Sequence, residues 1–188
     1  MQVDGKLPNL ALMQVCAYHE RRSDVVSWWQ GPLFNEHYDK IYVSKIFSSS
    51  KLPVSLPSGA LFGGTGIDFF NRLPNEIGAC SPSYTLYPDC RYHLGFSMKG
   101  CRFGCKFCCV PKKEGRPARN SDIDGLLLNP RGGNRLMLLD NDFFGGPNWR
   151  PNLERIIELK LRDCFVQGLN IRIITEEQAL LLAQCNLE

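Results

Sequence analysis

Apolar residues recur at helical spacing early in the chain and gather into short clusters after that. Leu10, Met13 and Ala17 would share one helix face, and Pro8 lies where a first helical turn tolerates proline, which predicts a helix over 8–21. Short runs rich in β-branched and aromatic residues follow it and predict strands. These predicted strands are 25–29, 41–47 and 60–62.

The second half of the chain predicts a regular alternation of strands and helices. A capping box, Thr175-Glu176-Glu177-Gln178, marks the start of the last helix, which extends through Ala183. The order is βαβαβα, in which the carboxyl ends of the strands gather functional groups. The predicted elements are a strand at 91–98, a short helix at 121–128, a strand at 135–140, a helix at 151–161, a strand at 164–171 and a helix at 175–183.

These elements predict an α/β chain with two domains. Residues 1–70 would form a small Rossmann-like domain, whose turn at 63–66 is interpreted as one that needs positive φ rather than as a phosphate cradle. Prolines with polar neighbours predict a linker at 71–90. Residues 91–188 would form the second, partial (β/α) domain.

Composition supports a globular protein. The chain has 188 residues, of which 44% are hydrophobic and 22% charged. No apolar run is long enough to span a membrane, and Asp4, Lys6 and Pro8 occupy the place where a signal peptide would need an apolar core. The sequence therefore predicts a cytoplasmic protein with no membrane association.

The cysteines carry the strongest chemical signal. The chain has nine, and Cys101, Cys105 and Cys108 form a CxxxCxxC run. An odd number with tight clustering favours metal binding over a disulfide framework. Three thiolates on one iron-sulfur cluster would leave one iron without a protein ligand, open to chemistry. The cysteines outside 101–109 are predicted to be small buried side chains.

Positive charge is concentrated around the same run. The net charge is +3, yet residues 101–119 alone contain six Lys or Arg and one acid, Glu114. Nearby cations lower thiolate pKa values and raise the potential of a bound cluster. A nucleic-acid surface and a simple solvated basic loop are the two other interpretations of this charge.

With Gly100 before the first cysteine, an aromatic residue before the third and a strand leading into the loop, residues 91–188 resemble the radical S-adenosylmethionine (radical SAM) superfamily. The resemblance implies an enzyme with a partial radical SAM (β/α) barrel and a 4Fe-4S cluster on Cys101, Cys105 and Cys108. S-adenosylmethionine would chelate the open iron and be cleaved to methionine and a 5'-deoxyadenosyl radical. Phe107 takes the aromatic position near the adenine.

The resemblance also implies contacts to S-adenosylmethionine at the strand ends. Asp140, Asn141 and Asp142 stand where the family usually has a Gly-Gly-Glu type element for the amino group, and their oxygens can accept its hydrogens. Gln167, Asn170 and Arg172 are candidates for the ribose and carboxylate, Arg172 because guanidinium pairs well with carboxylate. Each could equally be an ordinary polar residue at a strand end. No residue is assigned to substrate chemistry.

Other interpretations stay open. The chain supplies three βα units, fewer than the family's barrel, so it could be a fragment, a shortened member or a chain completed by a partner. It could also be a non-catalytic iron-sulfur electron carrier, or a structural zinc module with Cys109 or His93 as fourth ligand. The enzyme would need an electron donor such as a flavodoxin or ferredoxin. No cobalamin is expected, because the D-x-H-x-x-G signature is missing.

Overall fold

The computed structural model describes all residues, 1–188, and divides them into two compact units. The first unit is Met1–Asp89 and the second is Cys90–Glu188. Both contain parallel strand pairs together with helices, so the chain is a mixed α/β protein. No helix combines the length and apolar character needed to cross a membrane.

The first unit is built on a helix and a small parallel sheet. Asn9 caps the helix by accepting a hydrogen bond from the Leu12 N–H at 3.1 Å, and Met13 and Cys16 are fully buried on its inner face. The strands pair with Tyr42 opposite Leu61. The elements are α1 (Leu10–Glu20), a 3-10 helix (Pro32–His37), β1 (Tyr42–Ser44), β2 (Leu61–Gly63) and α2 (Asn75–Gly78).

Several predictions for this half are confirmed and one is wrong. The helix and the strands at 41–47 and 60–62 are present, and Gly64 in the following turn has a φ of +95°. No strand forms at 25–29, where Val25 is 98% exposed and has no neighbouring strand to pair with. The predicted linker, 71–90, includes α2, and residues 71–89 belong to the first unit.

The second unit contains a four-stranded parallel sheet and a separate antiparallel strand pair. The order of the parallel strands is β3-β6-β7-β8, and β4 pairs with β5. The elements are β3 (His93–Gly95), β4 (Met98–Lys99), α3 (Val110–Lys113), β5 (Ala118–Arg119), a 3-10 helix (Asp124–Leu126), β6 (Arg135–Leu138), a 3-10 helix (Phe143–Gly145), α4 (Trp149–Glu158), β7 (Arg162–Phe165), a 3-10 helix (Ile171–Ile173), α5 (Glu176–Leu182) and β8 (Asn186–Leu187).

The core of this unit lies where α4 packs against the sheet. Leu153 and Ile156 of α4 are fully buried against Leu136 and Leu138 of β6, and Phe143 completes the cluster. These residues have the helical and alternating spacings that bury one face of each element. The capping box at the start of α5 is present in full, with the Thr175 side chain accepting from Gln178 N and the Gln178 side chain accepting from Thr175 N.

The predicted βαβαβα order holds for β6-α4-β7-α5 but not for the first crossover. Between β3 and β6 the chain makes the β4-β5 pair, the one-turn α3 and a 3-10 helix at Asp124–Leu126 instead of the helix expected at 121–128. The sequence analysis also missed β8, which is two residues long and so has no recognisable alternation. The four-stranded sheet is open rather than closed.

Candidate functional site

The cysteine run lies in the loop that joins β4 to β5, close to the carboxyl end of β3. Cys101 and Cys108 are partly exposed and Cys105 is exposed. The Cys108 N–H donates to the Cys105 carbonyl at 3.0 Å, which closes a turn between these two cysteines. The strand order therefore places three thiols, on one short loop, at the end of the parallel sheet.

The start of this loop is held by hydrogen bonds from three successive backbone N–H groups. The Gly100 N–H donates to Glu114 Oε2 at 3.0 Å, and the Cys101 N–H donates to the Gly115 carbonyl at 3.1 Å. The Arg102 N–H donates to Asp142 Oδ2, also at 3.0 Å. The backbone on both sides of Cys101 is thereby tied to the structure around it.

The three thiols influence one another electrostatically. Burial is the largest cause that raises the pKa of the Cys101 thiol, and the negative charges of Asp142, Cys108 and Cys105 raise it further. The Cys101 thiolate is therefore more costly in the presence of the other two. Bound metal would favour the thiolate forms, because it compensates their charge.

The cysteines match an iron-sulfur cluster in ligand type and in sequence spacing, but the structure does not bring them together as a metal-binding group. No three His, Cys, Asp or Glu side chains are grouped so that they could hold a metal ion. A cluster binds each thiolate through a different iron, and its ligands need not meet around one point. Cys105 is exposed, and the hydrogen bond between its carbonyl and the Cys108 N–H is the one backbone hydrogen bond it makes.

A cavity of about 240 Å³ opens beside the loop. Its lining is mixed, with polar side chains from the ends of β6 and β7 and apolar side chains that include Phe143 and Phe144. An apolar cavity with a few convergent polar groups is the usual form of a small-molecule site. Its lining residues are Arg102, Phe103, Asn141, Asp142, Phe143, Phe144, Gln167, Gly168, Leu169, Asn170, Ile173, Ile174 and Gln178.

An ion pair joins the cysteine loop to this cavity. Arg102 Nε lies 3.1 Å from Asp142 Oδ2, the same oxygen that accepts the Arg102 backbone N–H. The Asp142 side chain is 5% exposed and that of Arg102 is 36% exposed. The pair thus sits on the cavity wall, immediately after the first cysteine of the run.

The structure brings four of the predicted strand-end residues to the cavity. Asn141, Asp142, Gln167 and Asn170 all line it. Asn170 also caps the 3-10 helix that follows, because its side-chain oxygen accepts from the backbone N–H of Arg172 at 3.3 Å. These four come from sequence-distant strand ends, as expected for parallel strands whose carboxyl ends share one edge.

Three other predicted residues lie outside the cavity lining. Phe107 is 95% exposed on the cysteine loop, and Arg172 is exposed. Asp140 is buried, and its carboxylate accepts hydrogen bonds from Ser97 N at 2.8 Å, Ser97 Oγ at 2.6 Å and Met98 N at 3.1 Å. Its role is to tie the end of β6 to the β3-β4 connection, and burial raises its pKa to about 6.

The sequence analysis did not identify the residues that join the loop to the cavity. Arg102 and Glu114 were recognised only as charges of the basic run. The sequence did contain one indication of the role of Glu114. It is the single acid within 101–119, and a lone carboxylate among cations is a candidate for a specific structural contact. Nothing in the sequence except their hydrophobicity indicated that Phe143 and Phe144 would line the cavity.

His93, a candidate for the fourth metal ligand, has both ring nitrogens within hydrogen-bond distance of backbone groups. Its Nδ1 accepts from the Asn129 N–H at 3.0 Å, and its Nε2 lies 3.1 Å from the Gly133 carbonyl. Both ring nitrogens are therefore used inside a buried environment. Cys109, the other candidate, is exposed and precedes α3.

The remaining cysteines divide into two groups. Cys16, Cys80 and Cys90 are buried, as predicted. Cys164 and Cys185 are partly exposed, so that part of the prediction is wrong. Both lie at or near strands on the β7-β8 side of the sheet, where fewer elements cover them.

Comparison of the chain with protein-family models, with curated proteins and with solved structures finds no match.

Proposed function

We propose that this chain is a radical SAM protein, which binds a 4Fe-4S cluster and reductively cleaves S-adenosylmethionine to begin radical chemistry on a substrate. One observation carries the proposal: the CxxxCxxC loop starts beside the carboxyl end of a parallel strand and shares a cavity wall with the ends of the next two strands. The loop reaches the cavity through Arg102 and Phe103, the two residues that follow its first cysteine.

Each part of the site has a proposed task. Cys101, Cys105 and Cys108 would hold the cluster, which supplies the electron for cleaving the sulfonium bond. Asn141 and Asp142 offer acceptor oxygens for an ammonium group, and Arg102 offers a guanidinium for a carboxylate. The aromatic wall excludes water from the region between them.

The mixed lining supports a ligand that is itself part polar and part aromatic. Phe103, Phe143 and Phe144 contribute apolar surface to the lining, and Gln167 and Asn170 contribute amide groups. A nucleoside attached to an amino acid has both characters. At about 240 Å³ the cavity is smaller than the roughly 300–1,000 Å³ usual for ligand pockets, so the ligand would extend toward the loop.

An iron-sulfur protein without S-adenosylmethionine cleavage is the second candidate. It is favoured by Asp140, whose carboxylate is used by Ser97 and Met98 rather than offered to a ligand, and by Phe107, which is exposed away from the cavity lining. In that case the chain would carry electrons or form part of a larger catalytic unit.

The cellular setting is proposed on the same grounds. Cluster chemistry on exposed thiols requires a reducing compartment, which favours the cytoplasm. A one-electron donor such as a flavodoxin or ferredoxin would reduce the cluster. The two edges of the open sheet, β3 and β8, are sites where a partner chain could add strands.

The test is anaerobic purification, iron and sulfide analysis, and then reduction in the presence of S-adenosylmethionine. The proposal predicts bound iron and sulfide and release of 5'-deoxyadenosine. Iron and sulfide without 5'-deoxyadenosine would favour the second candidate, and stoichiometric zinc without iron would overturn both.

Two exposed cysteines of the same loop, Cys105 and Cys109, provide a matched pair of variants. Cys105→Ala is expected to abolish cluster assembly, because it removes a ligand, whereas Cys109→Ala is expected to leave iron content unchanged. Both side chains are exposed, so neither change opens a cavity in the core. Equal loss of iron in the two variants would contradict the ligand assignment.

A further inference from the structure

Glu114 makes a contact that links the cysteine loop to the cavity. Its Oε2 accepts from the Gly100 N–H at 3.0 Å and from Asn141 Nδ2, also at 3.0 Å. Gly100 directly precedes the first cysteine, and Asn141 lines the cavity. One carboxylate oxygen is therefore shared between the start of the loop and the end of β6.

Glu114 is itself held in place. Its backbone N–H donates to the Val110 carbonyl at 2.8 Å at the end of α3, and its side chain is only partly exposed. The next residue, Gly115, accepts the Cys101 N–H. The far end of the loop thus folds back onto its beginning, and the carboxylate closes the contact.

Asp142 makes the corresponding contact on the other side of Cys101. Its Oδ2 accepts both the backbone N–H and the Nε–H of Arg102. Asn141 and Asp142 are consecutive residues at the end of β6. Asp142 holds the residue after Cys101 directly, whereas Asn141 is linked to the residue before it only through Glu114. Hydrogen bonds to charged groups of this kind are stronger than neutral ones.

The other two cysteines have no such ties. The Cys108 N–H bonds to the Cys105 carbonyl, but no side chain of the sheet end holds either residue. The three cysteines of the run therefore differ: the backbone at and around Cys101 is held by Glu114, Gly115 and Asp142, whereas Cys105 and Cys108 lie in a segment bonded only to itself.

We infer that Glu114 is a positioning residue, which acts with Asp142 to fix Cys101 against the cavity wall before Cys105 and Cys108 are drawn to a metal group. The inference deepens the proposed function and rests on it for the metal group. A ligand that binds Asn141 or Asp142 contacts the same side chains that hold Cys101, so the cavity and the first thiol are physically coupled.

The test measures the alkylation rate of each cysteine in the metal-free full-length protein, by mass spectrometry with iodoacetamide. In Glu114→Ala the Gly100 N–H loses its acceptor. Local opening of the backbone around Cys101 then costs less free energy, by about one charge-assisted hydrogen bond, so the alkylation rate of Cys101 is expected to rise about tenfold. Cys105 is already exposed, so its alkylation rate in Glu114→Ala is expected to stay within about twofold of its rate in the wild-type protein.

Two further variants separate positioning from general damage. Glu114→Gln keeps an acceptor oxygen and is expected to restore most of the Cys101 protection. Glu154→Ala removes an exposed carboxylate from α4 in the same unit and is expected to change nothing at Cys101. Buried Cys90 reports unfolding of the unit, so a parallel rise at Cys90 and Cys101 would overturn the inference.

The outcome is independent of cluster binding. If Glu114→Ala leaves the Cys101 rate unchanged, the inference fails even where the wild-type protein binds iron and sulfide. If the Cys101 rate rises selectively in a protein that binds no iron, the positioning contact stands and the proposed function fails. The iron and sulfide content of Glu114→Ala, measured separately, is expected to fall below that of Glu114→Gln.

Discussion

At the scale of single residues, Asp163 is the least ordinary side chain of the second unit. It is fully buried on β7, and neither carboxylate oxygen has a hydrogen-bond partner. Burial raises its pKa to about 7, and the negative charge of Asp140 adds to the shift. A carboxyl group in such a place is stable mainly in its protonated form.

This burial predicts that the protein loses stability as the pH rises. The pKa values of Asp163 and Asp140 in the folded state, about 7 and about 6, lie above the ordinary value of 3.8. Below pH 3.8 the two groups are protonated in both the folded and the unfolded chain. As the pH rises from 3.8 to about 6 and about 7 they ionise only in the unfolded chain, so the stability of the fold is lost over that range. Denaturant unfolding at pH 5 and pH 8 should show lower stability at pH 8 from these two groups.

Asp163→Asn tests the assignment directly. The change removes the charge, so we expect the variant to be more stable than wild type at pH 8, by up to about 4 kcal/mol, and closer to it at pH 5. Glu154→Gln, which alters an exposed carboxylate, is the control and should leave the pH dependence unchanged. A pH dependence that is the same with and without Asp163 would contradict the prediction.

Gly100 provides a second test at this scale. Its φ of +90° suits glycine, and a Cβ there would meet the Arg116 carbonyl oxygen. Gly100→Ala is expected to destabilise the second unit by about 1–3 kcal/mol and to raise the alkylation rate of Cys101. Thermal unfolding and mass spectrometry measure the two effects.

Gly104 is the matched control for Gly100. It lies in the same loop, and a Cβ there would meet nothing within 4 Å. Gly104→Ala should therefore leave both stability and the Cys101 rate near those of wild type. If the two glycine variants behave alike, the backbone at Gly100 is not under the constraint that the structure indicates.

At the scale of elements, local signals predicted the three longest helices, α1, α4 and α5, but not the one-turn helices α2 and α3. The capping box at Thr175 and Gln178 forms as expected, because both partners lie within one turn of the chain. The helix at 8–21 begins where Asn9 can cap it. Strands were less predictable: Val25 and Val26 have high β propensity, but no partner strand lies beside them, and the residues remain without regular structure.

The capping box itself can be tested. Thr175→Ala removes the side chain that accepts the Gln178 N–H, and we expect a loss of about 1 kcal/mol in unfolding free energy. Thr175→Ser keeps the hydroxyl and should retain most of the stability. Chemical denaturation measures both, and a serine variant as unstable as the alanine variant would argue against the cap.

At the scale of the whole molecule, the division into two units follows the density of contacts along the chain. Prolines in 71–90 predicted a linker, but α2 packs there, with Ile77 buried and Gln14 Nε2 donating to the Gly78 carbonyl at 2.7 Å. Because these bonds connect residues far apart in sequence, no local pattern indicates them. The boundary accordingly lies after Asp89.

The candidate site shows the same division between local and tertiary information. Strand order alone predicted that 140–142 and 170–172 would lie at one edge, since parallel strands share their carboxyl ends. It did not predict that the Asp140 carboxylate would accept hydrogen bonds from Ser97 and Met98, or that Asn141 and Asp142 would contact the cysteine loop and line the cavity. Neighbouring polar residues can accept from the same hydrogen-bond donors. The position of the β3-β4 connection determines that Asp140 accepts from Ser97 and Met98.

By itself the sequence determined the α/β class, the three longest helices, the capping box of the last one, and a loop with three closely spaced thiols. These depend on residues within a few positions of one another, where propensity and spacing act directly. Only the tertiary structure decided that Glu114 and Asp142 hold Cys101, that Phe107 is exposed, and that Asp163 is buried without a partner. Those outcomes depend on which groups the packed strands and loops bring together, and no local pattern contains that information.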